Sequence, residues 1–404
     1  MKVGIFGTFD LQNWGDLLFP LIAQKSLSHH IEGVEVVANS YRRKTRANWY
    51  YEVEALTDLP NLIRRYDAIL IGGGHVVRFD KLIAYGDYYP TDKSVHHPTG
   101  YWLLPALLAA NAGIPVIWNG PSTSRGLPDW AGPMLSPALE WSQYIAVRDE
   151  VSKSELRRFA PTKEVSVVPD TAFGIEQLVS ADSPTPEYQK MRHQFGLDRP
   201  YVLLQASSRA SEFRVPIERA RALLPDIQFI EISVGPDIGD VLGVYNDWGL
   251  KDHAVVEEWP SPIGLAELVC HSSGVIGTSL HLSLTSLAFG HPVLRPLDKE
   301  DSKYIPLREH RLLYSMSRKK AEAAEQFVDH VLSNDFGNPA MDSVKERLET
   351  HWKKVTEAIH SKPQSLGHSD QFLMELPDFL EKTGLELARL SRLGTFCMEK
   401  TLFS

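Results

Sequence analysis

GVIGTSLHLSLTSLAFGHPVLRPL, residues 274–297, reads as strand, helix and strand in immediate succession. Gly274–Ser279 is a short apolar run that suits a buried strand. Leu280–Gly290 carries leucines at helical spacing and ends on glycine, a common helix stop. His291–Leu297 returns to a β-branched apolar run and is expected to close a sheet. A strand, a tight helix and a second strand make a parallel crossover unit, and repeated units of that kind build a sheet covered by helices on both faces.

The same alternation runs through most of the chain. Before this segment come strands at 201–207, 227–233 and 253–259, with helices running to Leu224 and over Pro262–Cys270. Farther back lie strands at 2–7, 34–38, 67–74, 114–120, 144–149 and 165–170. Helices are expected at 16–27, 101–112 and 150–159. The Ser/Asp/Pro-rich stretch 180–188 interrupts the pattern and reads as a linker. The expected organisation is a first doubly wound unit over 1–179, a linker over 180–198, a second unit over 199–317 and a helical tail over 318–404. The fold class is α/β: two Rossmann-like units facing one cleft. A ligand is expected between them, at the carboxyl ends of the strands.

Composition agrees with a globular chain and narrows its partners. Of 404 residues, 43% are hydrophobic and 23% charged, with 42 Lys+Arg against 51 Asp+Glu and a net charge of -9. An acidic chain is a poor general nucleic-acid binder, since phosphate backbones need a positive field. Two cysteines in this length favour a reducing compartment. The absence of an apolar run of about 20 residues points to a soluble, cytoplasmic protein. Adjacent histidine pairs (His29–His30, His96–His97) lack zinc-like spacing, so no metal and no cofactor are expected.

Five strand-to-helix junctions carry chemistry-bearing residues. GTFDLQNWGDLLFP (7–20) places Asn13, Gly15 and Asp16 at a helix start, which suits either an anion or a simple helix cap. IGGGHVVR (71–78) places Gly73 and Gly74 in a turn, beside His75 and Arg78, for ligand approach or for close packing. In YIAVRDEVSKSEL (144–156), Arg148 stands where a planar guanidinium can hold a phosphate or carboxylate, or pair with a neighbouring acid. In VVPDTAF (167–173), Asp170 reads most simply as an Asx turn. In the opening segment, His281 sits on the first helical turn at the cleft edge, a proton carrier suited to neutral pH. Lys299 and Lys303 follow the next strand. Aromatic residues (Trp14, Tyr50, Tyr51, Tyr85, Tyr88, Tyr89, Trp102) are numerous in the first unit and suit either a sugar or the core. The tail is expected to cross back over the first unit or to make an oligomer contact.

In order, N-x-G-D (Asn13, Gly15, Asp16), G-G-G (72–74), V-R-D-E-x-S (147–152), P-D-x-A-F (169–173) and S-L-H followed by A-x-G-x-P (Ser279, His281, Ala288, Gly290, Pro292) resemble the polysaccharide pyruvyl transferase family. The resemblance covers roughly residues 1–303. It implies a GT-B-like pair of domains and phosphoenolpyruvate (PEP) as donor. The acceptor would be a sugar of a glycan or of a lipid-linked precursor at a membrane surface, and the product a cyclic ketal. It implies that Arg148 binds the phosphate or carboxylate of PEP, that His281 is the general acid, and that Lys299, with Lys303 as alternative, supplies a further cation. The family has arginine where Ser279 stands; Arg295 or Arg209 would then compensate. Two other readings share the fold. One is a glycosyltransferase using a nucleotide sugar near Glu257–Trp259, and the other is a non-catalytic binding protein.

Overall fold

The computed structural model describes residues 1–79, 97–246, 253–295, 304, 307, 310–315, 320–333, 337–361 and 363. The first half runs β1 (Lys2–Phe6), α1 (Trp14–Ser28), β2 (Glu35–Ser40), β3 (Val53–Ala55), α2 (Leu59–Leu62), β4 (Ala68–Ile71), α3 (Leu103–Ala112), β5 (Val116–Asn119), α4 (Gly132–Glu140), β6 (Ser142–Val147), α5 (Glu150–Arg157) and β7 (Ser166–Val167). The second runs α6 (Pro186–Phe195), β8 (Tyr201–Gln205), α7 (Arg214–Leu223), β9 (Gln228–Ile232), β10 (Ala254–Val255), α8 (Pro262–Cys270), β11 (Gly274–Ile276), α9 (Leu280–Ala288), β12 (Val293–Arg295) and β13 (Leu313–Ser315). Helices α10 (Lys320–Ser333) and α11 (Ala340–His360) follow.

All named strands pair in parallel. The seven-stranded sheet has the order β3-β2-β1-β4-β5-β6-β7, and the six-stranded sheet β10-β9-β8-β11-β12-β13. Each order reverses direction once, between β1 and β4 and between β8 and β11. At such a switch the two flanking connections leave on opposite faces and open a crevice at the strands' carboxyl ends. Two Rossmann-like sheets with a helical tail are what the alternation pointed to, and they make the GT-B-like architecture that the resemblance implies.

Several expectations need correction. His291–Leu297 does not close the second sheet, because β13 pairs outside β12. Strands β3 and β13 have three residues each, too few to show a period. Helix α4 contains Gly132, Pro133 and Pro137, which reads as loop in one dimension. The 180–198 stretch holds a helix, α6. Thr185 caps it by accepting the Tyr188 N–H, and Pro186 opens it. The runs 165–170 and 253–259 shrink to two-residue edge strands. Pro169 ends the first, and Trp259 turns inward to donate its indole N–H to the Ser233 carbonyl at 2.8 Å.

The halves share a core. One apolar cluster runs from Val3, Trp14 and Phe19 through Phe173 to Leu265, Leu284 and Trp352. Helix α10 packs on α7, while α11 returns to β5, β6 and α1, so the tail does cross back over the first sheet. His351 fastens it: Nε2 bonds Asn119 Oδ1 at 2.9 Å and Nδ1 meets the Tyr144 hydroxyl at 3.2 Å. Burial, with Lys354 nearby, pushes His351 down to about 3, so it is neutral. Among the described residues no helix is long and apolar enough to cross a membrane.

Candidate active site

Asn13–Asp16, Gly72–Gly74 and Ser279–His281 collect at the two switch points, and the switch points meet. After β11, Ser279 caps α9 by accepting the Leu282 N–H at 3.3 Å, which places His281 in the first helical turn. After β1, α1 starts at Trp14. A Cβ on Gly15 would stand 1.9 Å from His281 Nδ1, so only a glycine lets the imidazole lie against that helix. The His281 ring also meets Phe19 edge-on, with centroids 5.4 Å apart. His281 is 8% exposed, so it is clamped between the halves.

The glycine turn after β4 packs on the same helix. Gly72, Gly73 and Gly74 have φ of 104°, 82° and 74°, a region that favours glycine. A Cβ on Gly73 would fall 2.3 Å from the Phe19 ring, and one on Gly74 would fall 3.0 Å from Asp16 Oδ1. The turn therefore serves close packing on α1. His75 beside it bonds the hydroxyls of Ser122 (2.8 Å) and Ser124 (3.3 Å).

The start of α1 is not an open anion cradle. The Trp14 N–H donates to the Val234 carbonyl at 2.9 Å, and the Asn13 amide donates to Asp16 Oδ2 at 2.7 Å. Asp16 is buried in the first turn, where its negative charge already suits the helix dipole. Asn13 holds the N-cap position without a side-chain cap, and Asp16, the residue expected to cap the helix, lies inside its first turn.

Arg148 stands at the end of β6, buried with Asp170. Their side chains are each 1% exposed, and Arg148 Nη1 donates to Asp170 Oδ2 at 2.8 Å. Arg148 Nε and Nη2 have no hydrogen-bond partner among the described residues. Asp170 also accepts the Ala172 N–H at 3.0 Å, the Asx turn expected of it, and opens a 3-10 helix over Thr171–Gln177. That short helix packs on both α1 and α9. Arg295, at the end of β12, is 1% exposed. Its Nη1 donates to Ser283 Oγ at 3.4 Å, one turn along α9 from Ser279, and its guanidinium lies 3.4 Å from the Tyr304 ring centroid. Arg209 is exposed. Lys299 and Lys303 lie outside the described residues, as do Tyr85, Tyr88 and Tyr89.

The described aromatic residues of the first unit serve packing. Trp14 and Trp102 are fully buried, Tyr51 donates its hydroxyl to the Leu17 carbonyl, and Tyr50 meets Trp259 at 5.8 Å. The cavity beside Trp259, lined by Glu187, Lys190 and Glu258, has about 90 Å³. A separate cavity of about 810 Å³ lies between β7 and α11; Lys153, Arg157 and Arg347 line it, while Arg148, Asp170 and His281 do not. Sequence reading missed Gln205 and Asp240, which link β8 to the start of α9; a polar residue ending the apolar run YVLLQ was the available signal.

A family model described as polysaccharide pyruvyl transferase matches residues 13–298, more than half the chain, from Asn13 of the first motif through Pro292 of the last. The chain belongs to the polysaccharide pyruvyl transferase family. No curated protein matches it significantly. Among solved structures, it is similar to the UDP-GlcNAc 2-epimerase of Methanocaldococcus jannaschii, with 14% identity, a TM-score of 0.56, and 88% of this chain and 100% of that one covered. It is also similar to the Neisseria meningitidis UDP-GlcNAc 2-epimerase bound to UDP-GlcNAc, with 14% identity, a TM-score of 0.48, and 95% and 100% covered. At such identity the likeness concerns the fold.

Proposed function

We propose that this protein moves the enolpyruvyl group of phosphoenolpyruvate onto two hydroxyls of one sugar, forming a cyclic ketal and inorganic phosphate. The observation that carries the reading is His281, held against Gly15 at the joint of both sheets. In this scheme charged His281 gives a proton to the methylene carbon of PEP, which becomes the methyl group. The adjacent carbon gains oxocarbenium character, one sugar hydroxyl attacks it, and the C–O bond to phosphate breaks. The neighbouring hydroxyl closes the ring. Of the two hydroxyl protons released, one returns to His281 and the other leaves with phosphate or solvent.

Cations lower the cost of the charge that grows on the departing phosphate. Arg148 would contribute through Nε and Nη2, since Asp170 occupies Nη1. Arg295 would contribute from β12, where it bonds Ser283, one turn along α9 from Ser279, the position where the family has arginine. Lys299 or Lys303 would complete the set. A sugar of a glycan or of its lipid-linked precursor is the acceptor class, and the cytoplasm the compartment that supplies PEP.

Titration calorimetry with PEP, and with UDP or GDP as comparators, tests the donor. Heat with PEP alone supports the proposal; no heat and no thermal shift with PEP overturns it. His281→Ala is expected to lower ketal formation by about 10²–10⁴-fold, the usual worth of general acid catalysis, while PEP still binds.

A further inference from the structure

After β9 the chain turns over residues 233–240, and the partly buried carboxylate of Asp240 reaches both halves of the candidate site. Asp240 Oδ2 accepts the N–H of Val234 at 2.8 Å and of Gly235 at 3.1 Å. Asp240 Oδ1 accepts from Gln205 Nε2 at 3.0 Å. Gln205 ends β8, and its Oε1 accepts the backbone N–H groups of Thr278 and Ser279, each at 2.8 Å. Gln205 thus spans the switch point of the second sheet, from β8 to the connection after β11. Space is reserved for it: a Cβ on Gly277 would fall 2.8 Å from Gln205 Oε1.

The other end of the loop holds the first half. The Val234 carbonyl accepts the Trp14 N–H at 2.9 Å, and Asp237 Oδ2 accepts the Gln12 N–H at 2.8 Å. Trp14 precedes Gly15, the residue against which His281 lies. One carboxylate therefore fixes the loop that grips the start of α1, and through Gln205 it fixes the residues that start α9. These are the two walls around His281.

We infer that Asp240 is a positioning residue, which through Gln205 and Val234 sets the two helix starts that hold His281. The inference rests on the pyruvyl-transfer reading for its catalytic consequence, and on hydrogen-bond geometry alone for its structural part.

The polarity of the pair supplies the test. Gln205→Glu sets two carboxylates against each other. Asp240→Asn, with its oxygen toward Val234 and Gly235, turns an NH₂ group toward the NH₂ group of Gln205. The double variant Gln205→Glu with Asp240→Asn repairs both faults: the new amide donates to the new carboxylate, whose other oxygen still accepts from Thr278 and Ser279. Shape and net charge match the wild type. Residues in one network depart strongly from additivity, so the repair is visible as coupling.

Two readouts are taken at pH 8, each variant as the full chain. Backbone amide exchange at residues 278–279, without substrate, is expected to quicken at least 10-fold in each single variant and to return to within about 3-fold in the double. Ketal formation from PEP is expected to fall at least 10-fold in kcat, with KM for PEP changed less than 3-fold, and to recover in the double. A double variant as poor as the singles in amide exchange overturns the clasp. Loosened amides with unchanged kcat overturn its positioning role. A wild type that neither binds nor turns over PEP sinks the pyruvyl-transfer reading instead, while the exchange cycle still decides the structural part.

Discussion

Replacing Gly15 by alanine adds one methyl group to the helix that His281 lies against and removes no chemical function. The new Cβ would stand 1.9 Å from Nδ1, 2.1 Å from Cγ and 2.4 Å from Cβ of His281. Carbon contacts settle near about 3.5 Å, so the imidazole must retreat by roughly 1.5 Å. Retreat is confined, since Phe19 stands edge-on to the ring and His281 is only 8% exposed. Overpacking of this kind costs about 1–3 kcal/mol, against a helix-propensity gain of about 1 kcal/mol for alanine over glycine. The net loss of stability is therefore expected to be no more than about 2 kcal/mol. Catalysis should suffer more, because a 1 Å misplacement of a catalytic group can cost about 10²-fold. The assay is a cycle with His281→Ala, measuring urea unfolding for all four proteins and ketal formation for the two that keep His281. In the His281→Ala background the contacts with Nδ1 and Cγ are gone and only the one with Cβ remains, so Gly15→Ala should cost less there than in the wild type. If Gly15→Ala costs the same in both backgrounds, or keeps turnover within about 3-fold of wild type, the contact does not hold His281 as described.

Other perturbations test other joints. Arg148→Ala strands Asp170 as a buried unpaired charge and should cost about 3–5 kcal/mol in chemical denaturation; Arg148→Met combined with Asp170→Asn should recover most of that. His351 is held down at about 3 from an ordinary 6.5, so the stability it brings is complete above about 6.5 and is lost as pH falls toward 3. Near pH 5 the loss is about 2 kcal/mol, and unfolding of His351→Gln should lack that slope. Asp240 runs the opposite way. Burial pushes its carboxyl up to about 6 from 3.8, so its favourable contribution is present below about 3.8 and lost as pH rises through 6. Relative to Asp240→Asn, wild-type stability should fall by about 3 kcal/mol across that window.

Local sequence carried the elements whose signals are local. Pro262–Cys270 is a helix because Ser261 caps it, Pro262 opens it, and apolar residues fill its buried face. Ser279 likewise starts α9 at the junction read from the segment 274–297. The elements that escaped notice are defined by partners distant in the chain. The three residues of β13 form a strand because β12 pairs with them. Helix α4 tolerates Gly132, Pro133 and Pro137 because Ala131, Leu135, Ala138 and Leu139 pack into a core shared with α3 and β6. Arg148 illustrates the same limit at the site: its junction was legible, but its ion pair with Asp170, 22 residues on, was not.

The burial of the motif residues bears on how this family departs from a simple pocket of cations. Arg148, Asp170, Arg295 and His281 are each under 10% exposed, and Gly15, Gly73 and Gly74 are spent on contact between elements. A group buried in that way has already given up its hydration, so a donor that meets it need not displace ordered water from it, and its attraction for an anion is stronger at low local dielectric. The same burial demands that position be set by the surroundings, since a charged side chain free to swing would find water instead. Glycine contacts around His281, the Asp170 partner of Arg148, and Ser283 with Tyr304 around Arg295 supply those constraints. Ser279 fits this logic. With a serine there the helix start is capped by its own side chain, and the guanidinium on this side of the site comes from β12, a strand rather than a helix end. A net charge of -9 is compatible with the anionic donor of the proposed function, because the field a ligand meets is set by the groups nearest to it, and Arg148 and Arg295 lie inside the fold.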